Sequence, residues 1–209
     1  MNRIVITINI IIHKIMKHLY CIRHGTAEHN VLFHKIGKDA YMKIRDSYLL
    51  EKGHKESLEL GKSWDDISNV EIVFVSPLRR TLQTALNIFK DHTKVEIIAL
   101  DYLQEFPASL EHINHRQTKK DIMEEFKDTR VDFSLIMCED DPYWHESHRE
   151  TMVELNKRAN DFIEFVKKRK ETHIGVVSHS SFLANFLNGG IVDEDNELEH
   201  CTPYIKIIE

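Results

Sequence analysis

An apolar run that ends at a cation, an imidazole and a glycine constrains this chain more than any other stretch: LYCIRHGTAEHN, residues 19–30. Leu19 to Ile22 have the length and apolarity of a buried strand, and Gly25 opens a polar segment that leads into a helix. Arg23 and His24 then stand at a strand's carboxyl end. That is the edge at which open α/β sheets bind ligands.

Two later segments repeat the pattern. EIVFVSPLRRTLQTA, from Glu71, and HIGVVSHSSFLANFL, from His173, each run an apolar strand into a polar turn and an amphipathic helix. If the three strands are parallel, Arg23, His24, Arg79 or Arg80, and His179 emerge on one edge and converge. Arginine offers paired N–H donors that match phosphate oxygens, so such a pocket suits a tetrahedral dianion. Periodicity does not choose between Arg79 and Arg80.

Arg23-His24-Gly25 with Asn30 fits the pattern RHG-x-x-x-x-N. Ser76-Pro77-Leu78, Arg80 and Gln83-Thr84-Ala85 fit SPL-x-R-x-x-QTA, and Ser178-His179 fits a late SH motif. With LLEKGHKES, residues 49–57, which is similar to a helix opening L-T-x-x-G-x-x-Q, these elements resemble the histidine phosphatase (phosphoglycerate mutase-like) superfamily from residue 18 to about 187. The resemblance implies a three-layer α/β/α sandwich with a mostly parallel central sheet. It implies one domain over 16–209, in which an insertion at about 106–147 caps the site and sets specificity.

The same resemblance implies roles. His24 is the nucleophile that forms phosphohistidine, Arg23, Arg80 and His179 hold the phosphoryl oxygens, and Asn30 is a further donor. Glu105, beyond the strand ending near Leu100, is the proton donor, with Asp101 as the alternative acid. A like-charged phosphate should raise the pKa of such a carboxyl and keep it protonated. Arg116 is a second anion contact, from likeness to a plant and fungal branch that carries a basic element and a DFS-L stretch. No metal or cofactor is required, because the cationic side chains supply the charge neutralisation that a metal gives elsewhere.

Composition agrees with a small-molecule enzyme. With 209 residues the chain can bury a sizeable core, and a net charge of -6 gives no support for nucleic-acid binding. Three widely separated cysteines, Cys21, Cys138 and Cys201, suit reduced thiols and a cytoplasmic location. The apolar run Ile4 to Ile12 is far short of the roughly 20 residues of a membrane span. Residues 1–15 read either as an added edge strand or as a poorly ordered extension, and Met16 is a possible natural start. Oligomeric state is not readable.

Local signals fill in the scaffold. Lys52 to Asp65 reads as a helix, Ser76 as an N-cap with Pro77 at the first helical position, and Lys94 to Leu100 as a strand. Ser147 and Glu150 form an S-x-x-E capping box for a helix reaching about Lys170, with Met152, Leu155, Ala159, Phe162 and Val166 on its buried stripe. Pro203 to Ile208 is a last strand that contributes Tyr204, Ile205 and Ile207 to the core. Lys35, Lys38, Lys43 and Arg45 read mainly as a solvated face. The i, i+3 pairs His112/His115 and His145/His148 read as surface or phosphate-adjacent histidines rather than metal ligands.

Function then turns on what takes the phosphoryl group. Phe106-Pro107-Ala108 follow Glu105 where the cofactor-dependent mutases of the family carry a run like E-R-H-Y-G, so hydrolysis of a small phosphorylated metabolite is favoured over a mutase. A non-catalytic phospho-ligand binding module is the third reading.

Overall fold

The computed structural model describes residues 16–190 and 197–209; the expected N-terminal extension lies outside them. In chain order the elements are β1 (Lys17–Arg23), α1 (Glu28–Ile36), α2 (Ala40–Lys43), α3 (Glu51–Ser63), β2 (Ile72–Val75), α4 (Arg79–Ile88) and β3 (Glu96–Ala99). They continue with α5 (Lys119–Glu125), β4 (Val131–Asp132), α6 (Met152–Lys167), β5 (His173–Ser178), α7 (Ser180–Asn188) and β6 (Pro203–Ile208).

The six strands lie in the order β4-β3-β2-β5-β1-β6, parallel throughout except for the antiparallel edge pair β1–β6. Because successive strand side chains point to opposite faces, each strand feeds two cores. Tyr20, Ile22, Val73, Val75, Ile97 and Val177 pack with Leu60 of α3 and Leu82, Ala85 and Ile88 of α4. Leu19, Cys21, Ile72, Phe74, Ile174 and Val176 pack with Leu155 and Phe162 of α6 and Phe182, Leu183 and Phe186 of α7. The result is the expected α/β/α sandwich. Burial on both faces is why these parallel strands read as continuous apolar runs rather than alternations.

Register sets the site. Arg23 pairs with Ser178, Ile22 with Val177, and Val75 with both Val177 and Ala99. The carboxyl ends of β1, β5, β2 and β3 therefore finish level, and the turns after them meet.

Four local expectations are corrected. Thr151 and Glu154, not Ser147 and Glu150, form the capping box of α6, which ends at Lys167. Ser76 does not cap α4: the helix starts at Arg79 with Leu78 before it, and Pro77 lies ahead of its first turn. Strand β3 is shorter than the apolar run around it. Ile205 and Ile207 are exposed, because β6 is an edge strand whose inward positions are Tyr204 and Ile208. No helix among the described residues is long and apolar enough to cross a membrane.

Candidate active site

His24 follows directly on β1, and its N–H continues the ladder by donating to Ser178 O at 3.0 Å. Its ring Nδ1 lies 2.8 Å from Gly25 O. A carbonyl only accepts, so Nδ1 carries the proton and Nε2 holds the lone pair. The ring is 2% exposed. Burial first, and then the charges of Arg80 and the neighbouring histidines and Arg23, hold its pKa well below the usual imidazole value. At neutral pH it is therefore an uncharged imidazole in a defined tautomer, with a lone pair on Nε2.

The turn that carries His24 is held by backbone approach. A Cβ on Gly53 would sit 2.2 Å from Thr26 O, and one on Gly25 would sit 2.6 Å from Gly53 O, so only glycines allow α3 to lie this close. Glu56, one turn along α3, accepts from both Thr26 N and Thr26 Oγ1 at 2.7 and 2.9 Å. On the other side, Gly25 N–H donates to Thr84 Oγ1 of α4 at 3.0 Å.

Around His24 stand the three other predicted phosphate ligands. Arg80, 1% exposed in the first turn of α4, donates to Ile113 O and Asn114 Oδ1, each at 3.0 Å. Burial lowers its pKa to about 10, which leaves it charged at neutral pH. Arg23 donates to Leu198 O at 2.6 Å and pairs with Glu197 at 2.7 Å. His179 stacks edge-on to His24 with ring centroids 5.2 Å apart, and its Nε2 meets Ser76 Oγ at 2.8 Å. Arg23 Nε, Arg80 Nε and His179 Nδ1 are buried and have no hydrogen-bond partner among the described residues. Buried polar groups are ordinarily satisfied, so three such nitrogens at one sheet edge mark donors available to an anion. Arg79 turns outward to Glu125, 2.7 Å away, and over the Tyr48 ring.

Glu105 sits at the start of α7, accepting from Phe182 N at 2.9 Å, Ser181 N at 3.4 Å and Phe106 N at 2.7 Å. Desolvation raises its pKa, against the opposing pull of these N–H groups and of Arg80. Asp101, the alternative acid, is bound instead to Arg116 at 3.0 Å and to Gln104.

Arg116 is not available as the expected anion contact. It is fully buried, and its five N–H donors are all engaged: Nε with Asp101, the others with the carbonyls of Gln117, Cys138, Glu139 and Asp140. It ties together the 116–141 segment and has no donor left for substrate. Asn30 spends Oδ1 on Ala27 N–H at the start of α1, so any substrate contact falls to its Nδ2. His115 stacks on Trp144 at 3.9 Å and His148 pairs with Glu154; no group of three or more metal-ligating side chains forms among the described residues.

A model of the histidine phosphatase superfamily (branch 1) matches residues 19–197, nearly the whole of this framework. The chain belongs to that superfamily. Phosphoglycerate mutase-like protein 1 of Arabidopsis thaliana is 32% identical to this histidine phosphatase homologue over 201 residues, covering 82% of this chain and 71% of the relative. A Schizosaccharomyces pombe protein named "Probable phosphatase" is 26% identical over 172 residues, covering 78% and 74%. Among solved structures, the alpha-ribazole phosphatase of Shigella flexneri superposes with a TM-score of 0.60 at 18% identity, covering 90% of this chain and 89% of that one. The phosphoglycerate mutase of Bacillus anthracis gives 0.61 at 20%, covering 94% and 89%. At these identities the two structures speak for the fold alone.

Two groups escaped the sequence reading. Arg158 is 2% exposed and divides its donors between the loop bearing Glu105, through the carbonyls of Tyr102, Gln104 and Glu105, and the Glu150 carboxylate at 2.6 Å. Glu150 in turn accepts from Ala108 N at 2.7 Å. An arginine on the buried stripe between Leu155 and Phe162 was the available signal. Arg158→Met removes one partner of a buried pair, and equilibrium urea unfolding should show a loss of about 3–5 kcal/mol. The second group is His29, 8% exposed, whose ring lies 5.6 Å from that of His24.

Proposed function

We propose that this chain is a cytoplasmic, metal-independent phosphatase that hydrolyses a small phosphorylated metabolite through phosphohistidine on His24. The observation that supports the reading is the His24 imidazole, with its Nδ1 proton held by Gly25 O and its Nε2 without a hydrogen bond among the described residues, in the field of Arg80, His179 and Arg23. Nε2 attacks phosphorus as the bond to the leaving oxygen breaks, and Glu105 gives that oxygen its proton. The Glu105 carboxylate then takes a proton from water as the water oxygen attacks phosphorus and the N–P bond breaks. Inorganic phosphate leaves, and both side chains return to their first state.

Arg23, Arg80 and His179 stabilise the equatorial oxygens by positioned donors in a water-poor site. The 106–147 segment caps this edge and selects the alcohol. Phe106, Pro107 and Ala108 after the acid favour water over a returning phosphoglycerate as acceptor.

A raised pKa lets Glu105 hold its proton to higher pH, so kcat/KM should fall as pH rises through that pKa. Glu105→Gln should flatten that limb and lower kcat/KM for alkyl phosphates by about 10²–10⁴-fold. The loss should be smaller for p-nitrophenyl phosphate, whose leaving group departs without a proton. The test of the reading itself is phosphate release from p-nitrophenyl phosphate and a panel of phosphometabolites with chelator present. Release by the wild type supports it. Transfer between phosphoglycerates without release would make the chain a mutase.

A further inference from the structure

Two imidazoles flank His24 without a part in the steps above. His200, 5.5 Å away ring to ring, uses its Nδ1 to donate to His24 O at 2.5 Å and so braces the backbone of the nucleophile. His29 is placed differently. Its Nδ1 meets Ser47 Oγ at 2.8 Å, and its Nε2, on the opposite side of the ring, makes no hydrogen bond among the described residues.

The surroundings of His29 are those of the anion pocket. Burial, then the charges of Arg80, Arg23 and His200, hold its pKa well below the usual value, so the ring is neutral. Its position is fixed from three sides. His29 lies in the first turn of α1, which is tied to the 46–49 segment by Glu28 N–H to Tyr48 O at 3.1 Å and by Tyr48 N–H to the Glu28 carboxylate at 3.1 Å. That segment carries Ser47, 1% exposed, and before it Asp46, whose Oδ1 accepts from Arg79 N–H at the start of α4. The helix bearing Arg80 and the helix bearing His29 are thus joined through Asp46 and Ser47.

We propose that His29 is a further phosphoryl ligand: Ser47 Oγ–H donates to Nδ1, which places the ring proton on Nε2, and Nε2–H donates to an oxygen of the transferring phosphoryl group. A neutral donor adds stabilisation there without one more positive charge beside His24. The proposal rests on the phosphatase reading above.

Inhibition by orthovanadate, a mimic of the five-coordinate phosphoryl group, tests it alongside kcat/KM for p-nitrophenyl phosphate. His29→Phe keeps a ring and loses the donor; it should weaken vanadate inhibition and lower kcat/KM by about tenfold to a hundredfold. His29→Gln, which retains an N–H donor, should recover part of both, and Ser47→Ala should show a smaller loss in the same direction. His29→Leu, which also lacks the donor, decides the matter together with Ser47→Ala if the Phe variant does not fold. If His29→Phe, or His29→Leu in its place, matches the wild type while His24→Ala is inactive, His29 is a packing residue and the phosphatase reading stands. If the wild type releases no phosphate, that reading fails, and calorimetric titration with vanadate takes over: weaker binding by the variants supports His29 as a ligand, and unchanged binding overturns it.

Discussion

His24→Ala should abolish phosphate release, by at least about a thousandfold, with every phosphomonoester that the wild type hydrolyses. Alanine removes the only protein atom in the proposed scheme that forms a bond to phosphorus. The fold should survive, because among the described residues the His24 ring makes a single side-chain hydrogen bond, to the carbonyl of its own neighbour. The β1–β5 ladder that holds the segment runs through backbone atoms which alanine keeps. Unaltered circular dichroism and retained binding of inorganic phosphate, a tetrahedral anion that needs no bond to His24, in the inactive variant would separate loss of the nucleophile from loss of the pocket.

Arg80→Ala should be the next most damaging change at the site, lowering kcat/KM by about a hundredfold to a thousandfold. Its guanidinium is buried against Ile113 O and Asn114 Oδ1, which fixes the fork before substrate arrives. The loss should fall mainly on kcat, because charge on the equatorial oxygens is greatest as the phosphoryl group transfers. Arg80→Lys separates charge from geometry: it retains the cation but not the planar fork, and should recover only a small part of the rate. Both variants leave Ile113 O or Asn114 Oδ1 without a donor, so their unfolding midpoints should also fall.

What the sequence made legible follows from where the signals lie. The three strand-to-turn transitions at Arg23, Val75 and Ser178 were readable because a doubly covered parallel strand is apolar on both faces and its ligand-binding end is abruptly polar. Those same transitions located the sheet edge. Arg80 could be told from Arg79 only by resemblance, since both lie in one helical turn; in the structure Arg80 is buried near His24 and Arg79 pairs with Glu125.

Buried charges that serve the scaffold were misread or missed. Arg116 reads as an anion contact, but its partners are the Asp101 carboxylate and backbone carbonyls up to 24 residues away, which no local pattern reveals. Glu150 reads as a capping residue from spacing alone, yet it is recruited by Arg158 two turns further on, and Thr151 with Glu154 takes the cap. Ser76 reads as a cap for the same reason and instead meets His179 from the neighbouring strand. In each case a long-range partner competes with a local role, and the desolvated partner wins because leaving it unpaired costs more.

The most direct test of a phosphohistidine mechanism is to trap the intermediate. The protein is mixed with substrate, quenched in alkali, in which phosphohistidine survives, and the peptide containing residues 19–30 is read by mass spectrometry. A phosphate on His24 that is lost on acid treatment, and that is absent from His24→Ala, is the expected result. Steady turnover by the wild type with no phosphorylated His24 peptide, together with phosphate release retained by His24→Ala, would contradict it.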